Sequence, residues 1–109
     1  MLFRSDDAVA HLYDPLHPAV LGLISGIIRT ANKARVPVAL CGEMAGDTSL
    51  TRLLLAFGLR QFSMHAAHLL DVKQVILTST LSRLKPFATR MLHTHDPDKL
   101  RALLAKLNA

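Results

Sequence analysis

The residues best equipped for chemistry lie in one run, Cys41-Gly42-Glu43-Met44-Ala45-Gly46-Asp47. A short apolar run precedes it and a helical pattern follows it. In a parallel α/β protein the carboxyl end of a strand is where functional groups collect. A cysteine there, followed by glycine, is held on a rigid element with backbone room for a ligand. The next helix presents free N–H groups suited to an anion. Spacing alone leaves a second reading open, that of a buried core cysteine.

The six histidines offer less. His65 and His68 are three apart at a predicted helix start and can share a face; His93 and His95 flank a loop. Neither pair has a cysteine or carboxylate partner at ligand spacing, so no metal site is assigned. Met44 and Met64 are expected to pack or to wall a pocket. The net charge is +5, but the thirteen Lys and Arg residues form no run, and the chain holds one Tyr and no Trp. Nucleic-acid binding calls for clustered basic residues or interleaved aromatics, so the charge reads as solvated faces, with no nucleic-acid partner. The single cysteine rules out an internal disulfide and fits a reducing cytoplasm. The longest apolar region, residues 19–28, is interrupted by Gly22, Ser25 and Gly26, short of the ~18 apolar residues of a membrane span. No membrane partner is expected, and the early acidic residues Asp6 and Asp7 argue against a secretory signal.

The elements that must position Cys41 follow from periodicity. Residues 12–18 read as an extended loop, because a residue before proline is pushed out of the helical region. Pro18 suits the first turn of a helix, and Val20, Leu21, Ile24, Ile27, Ile28 and Ala31 carry a helical pattern over 19–34. Residues 36–40 read as a buried strand, with Pro37 tolerable near its start. After the loop at 41–46, Asp47 or Thr48 caps a helix whose apolar positions are Leu50, Leu53, Leu54 and Phe57, closed by Gly58. A second strand is predicted at 61–64 and helices at 66–77, 82–92 and 96–107. The last opens with Asp96 as cap, Pro97 in first position and Asp98 near the positive end of the dipole. Strands alternating with helices imply a parallel sheet, and two such strands alone demand neighbours.

The Cys41–Asp47 run resembles the active-site cysteine motif of the phosphoenolpyruvate-utilising enzymes. Residues 11–24 are similar to the segment ahead of it in enzyme I of the bacterial phosphotransferase system, and Arg4 stands seven residues before His11, as the family's arginine does. Residues 56–64 resemble the approach to the family's last barrel strand. The resemblance covers residues 4–76. It implies an α/β fold, the C-terminal quarter of a (β/α)8 TIM barrel with two further C-terminal helices, completed by oligomerisation. Residues 1–109 would be a single partial barrel domain, with 80–109 as a helical tail.

The resemblance also implies roles. Cys41 is similar to the general acid that protonates the methylene carbon of enolpyruvate; a thiol, with an ordinary pKa of about 8.5, carries its proton at neutral pH. Arg4 matches the arginine that grips the substrate phosphate, a task suited to a planar guanidinium. Phe3 stands where the family has Asp, and His65 and Asp71 also depart from the family pattern. The implied cofactor is magnesium, and the implied partners are phosphoenolpyruvate, the phosphocarrier protein HPr and a second copy of the chain. The magnesium ligands, two further arginines and the phosphorylated histidine would all precede Met1. The expectation is therefore a fragment of a phosphoenolpyruvate–protein phosphotransferase, cytoplasmic and inactive alone, because phosphoryl transfer rests on metal and cation positioning. The alternatives are a fragment of pyruvate phosphate dikinase or phosphoenolpyruvate synthase, a non-catalytic dimerisation module, and a remnant that binds phosphoenolpyruvate weakly.

Overall fold

The computed structural model describes residues 14–109. The chain runs α1 (Pro18–Ala34), β1 (Leu40–Cys41), α2 (Glu43–Gly46), α3 (Thr48–Ala56), β2 (Phe62–Ser63), α4 (Ala66–Leu77), α5 (Leu81–Leu92) and α6 (Pro97–Asn108). The described residues are mostly helical, with one two-stranded parallel sheet. Leu40 pairs with Phe62 and Cys41 with Ser63.

The helix limits follow from local chemistry. His17 caps α1 through Nδ1, which accepts from the Ala19 N–H at 3.1 Å, and Pro18 takes the first position. Asp47 caps α3, its carboxylate accepting from the Ser49 N–H at 3.0 Å. Asp96 caps α6, accepting from Asp98 N–H and Lys99 N–H. Gly58 closes α3 at φ 103°, a left-handed conformation open to glycine. The Leu59 N–H reaches the Leu54 carbonyl and the Gly58 N–H that of Leu55, the paired bonds of a Schellman end. Helix α1 ends the same way: Val36 bonds back to Ala31 and Arg35 to Asn32, but here Arg35 holds the left-handed position at φ 58°.

Three expectations are corrected. The strand predicted over 36–40 covers only Leu40–Cys41, and residues 36–39 are not in the ladder. Pro37 has no N–H to give, and the described partner strand is itself two residues long. The strand predicted over 61–64 shortens to Phe62–Ser63 for the same reason, although Gln61 still accepts from the Leu40 N–H. The loop at 41–46 contains a turn of helix, α2, because Met44 and Ala45 are pulled into the core. Pro86 lies inside α5 and withholds one backbone bond; the helix persists because Leu84, Ala88 and Met91 bury its other face.

Helix α3 is the spine. Leu53 joins Leu21, Leu84, Ala88, Met91, Leu100, Leu103 and Leu107 in a cluster shared with α1, α5 and α6. Leu50 and Leu54 face the other way and, with Ile28, Met44 and Leu59, form a second cluster against which Leu40 and Phe62 pack. That second cluster seats both strands and so fixes where their tips emerge.

Candidate functional site

The two strand tips open into one cleft of about 660 Å³. From β1 and the turn after it come Cys41, Gly42, Glu43, Gly46 and Asp47; from β2 and the start of α4 come Ser63, Met64, His65 and His68. The parallel register explains the convergence. With Cys41 opposite Ser63, the turns that follow both strands leave on the same side of the sheet.

Cys41 is exposed and free, which removes the reading of a buried core cysteine. Gly42 follows at φ 88°, ψ −159°, a backbone region essentially closed to residues with a Cβ. It bends the chain sharply away from β1, so that the thiol-bearing residue ends the strand rather than continuing it. Met44 and Ala45, 6% and 0% exposed, then root the turn in the core. The Asp47 N–H returns to the Met44 carbonyl and closes the turn.

The cleft is lined by two carboxylates and two imidazoles. The Asp47 carboxylate is engaged by its own helix, accepting from Ser49 N–H and from Ser49 Oγ at 2.6 Å. His65 occupies the cap position of α4, yet its side chain makes no capping bond. His68, one helical turn on, lies against Gly46. Met64 walls the cleft, as expected of a pocket methionine, whereas Met44 packs beneath it.

The sequence-predicted residues fare differently. Cys41 is brought to the cleft; Arg4 lies outside the described residues. His65 and His68 do share a site with the cysteine, a gathering that their sequence spacing alone does not reveal. Its one signal is that both come just after the second strand, as Cys41 comes at the end of the first. Even so, no group of three or more His, Cys, Asp or Glu able to hold a metal ion occurs among the described residues. His93 and His95 are elsewhere: His93 Nδ1 lies 2.8 Å from the Thr89 carbonyl, and His95 lines a separate cleft with Asp14 and His17. No helix among the described residues is long and apolar enough to cross a membrane.

Comparison of the sequence with known proteins finds one family. The family model described as PEP-utilising enzyme, PEP-binding domain, matches residues 2–81. The phosphoenolpyruvate-protein phosphotransferase of Cupriavidus necator is 60% identical over 104 residues, 95% of this chain and 18% of that protein. Its counterparts from Buchnera aphidicola subsp. Baizongia pistaciae and Haemophilus influenzae are each 42% identical, over 82% and 67% of this chain. The chain thus spans less than a fifth of the length of these relatives, 18%, 16% and 13% respectively.

Proposed function

The chain belongs to the PEP-utilising enzyme family through its PEP-binding domain, and on that premise we propose that it carries the proton-donating corner of a phosphoenolpyruvate–protein phosphotransferase. The observation that carries the proposal is the exposed Cys41 at the carboxyl tip of a parallel strand, opening into a cleft built from both strand ends.

In the proposed reaction the bond between phosphorus and the enol oxygen of phosphoenolpyruvate breaks, and the phosphoryl group passes to a histidine of the parent enzyme. The electron pair left on oxygen becomes the pyruvate carbonyl as the methylene carbon takes the Cys41 proton, leaving a thiolate. Cys41 is suited to this because its turn is rooted by Met44 and Ala45, so the S–H is presented from a fixed backbone. Arg4 is assigned to the substrate phosphate on its match to the family arginine. Magnesium, the family's cofactor, has no three-donor site among the described residues. Its ligands are assigned to other segments of the parent enzyme. The phosphoryl group would continue to the phosphocarrier protein in the cytoplasm.

The architecture supports the wider reading. Among the described residues each strand has one partner and one open edge, a state that neighbouring strands of a (β/α)8 barrel would complete. Residues 1–109 are accordingly proposed as part of one such barrel domain, with 80–109 as its helical tail. The test is a chimera in which this chain replaces the matching segment of the Cupriavidus necator relative. Pyruvate formation is expected to survive the exchange and to fall by about 10²–10⁴ with Cys41→Ala; an undiminished rate in the variant refutes the assignment. The isolated chain, given phosphoenolpyruvate, magnesium and carrier, is expected to release no pyruvate.

A second reading, an association module, is favoured by apolar side chains left in solvent. Leu23, Ile27 and Val36 lie along and after α1, and Leu69, Leu70 and Leu77 along α4. Light scattering that finds a monomer across a wide concentration range removes it.

A further inference from the structure

One contact in the cleft is not used by the proposed chemistry. His68 stands in the first turn of α4, where its backbone N–H bonds to the His65 carbonyl at 3.0 Å. Its side chain lies on Gly46, across the cleft at the end of α2. A Cβ built on Gly46 would sit 3.1 Å from His68 Cδ2, 3.3 Å from Cγ and 3.4 Å from Cβ. The flat imidazole therefore fills the volume that any side chain at position 46 would need. No hydrogen bond to that ring occurs among the described residues, so packing is what the ring contributes there.

The turn that carries Cys41 is held from two sides. Met44 and Ala45 root its inner side in the core. On the cleft side the imidazole is seated on the turn at Gly46. We propose that His68 is a positioning residue for Cys41: its ring, resting on the bare Cα of Gly46, clamps the 41–46 turn to α4 and fixes the exposure of the thiol. The catalytic meaning of this clamp rests on the reading of Cys41 as proton donor; the clamp itself does not.

The test uses the full chain and iodoacetamide as a probe of Cys41, the one thiol present. The alkylation rate, the Gly46 α-proton shifts and the melting temperature are measured together. His68→Ala is expected to raise the alkylation rate several-fold and abolish the ring-current shift at Gly46 with the melting temperature unchanged, since the side chain is exposed. His68→Phe, which keeps a flat ring, should retain both wild-type values. Gly46→Ala should drive the ring off and behave like His68→Ala, and combining the two should add nothing further. Wild-type alkylation in His68→Ala, independent multiplication of the two effects, or loss of the clamp in His68→Phe would each overturn the proposal. The chimera with Cys41→Ala separates the two ideas: full pyruvate formation there defeats the acid, while the alkylation series alone decides the clamp.

Discussion

Between α3, α5 and α6 the side chains of Leu53, Leu84, Met91, Leu100 and Leu107 are each at most 1% exposed. At the strand tips Cys41, Gly42, Glu43, Ser63 and His65 are all open to solvent. The helical side buries its own apolar surface and is capped at both ends of α6: Asp96 holds the start, and Arg83 donates to the carbonyls of Lys106, Leu107 and Ala109 at the finish. The strand side is two residues deep, and among the described residues the side chains of Cys41, Glu43, Ser63 and His65 make no hydrogen bond. Stability is thus concentrated where no chemistry is proposed, and the chemistry is placed where little stability depends on it. The difference shows how a segment can hold a folded shape whether or not the cleft at its strand tips is complete.

Substitutions can break or sharpen that contrast. The largest effect is expected from Leu84→Ala, which empties a fully buried position of the helical cluster; urea unfolding should show a loss of about 2–5 kcal/mol. Gly58→Ala attacks the base of β2, where the residue sits at φ 103° and a new Cβ would stand 2.7 Å from Asn32 Nδ2. The same measurement should show a cost of about 1–3 kcal/mol for the strained backbone, with more from the clash. Asp96→Ala removes the cap of α6 and should cost about 1 kcal/mol, read as a shift in the unfolding midpoint. The smallest effect belongs to Cys41→Ser, expected to change stability by less than about 0.5 kcal/mol because the site is exposed. A loss for Cys41→Ser as large as that for Leu84→Ala would make the thiol structural and erase the contrast.

The helical side was the more legible in sequence. Leu84, Leu100, Leu103 and Leu107 fall at helical spacing, and Asp96-Pro97-Asp98 announces α6; local chemistry decides those elements, and they form where expected. Gly58 likewise marks the end of α3. The strand side was less so, because its form depends on partners distant in sequence. Residues 36–40 read as a strand, yet a ladder reaches only as far as the opposing strand allows. The left-handed Arg35 carries no glycine to announce it. Cys41 could be placed at a strand tip from its flanks alone, but the approach of His68 to Gly46 is a contact between separate βα units. No periodicity encodes it.

Asn32 Nδ2 donates to the Gly58 carbonyl at 3.1 Å, joining the ends of α1 and α3 just before their strands begin. The two strands are thus tied behind their roots by this side-chain bond and along their length by the Leu40–Phe62 and Cys41–Ser63 pairs. Cys41 and Ser63 therefore keep their spacing through ladder and joint together, and the cleft that opens beyond them inherits its placement from the helix ends behind the sheet.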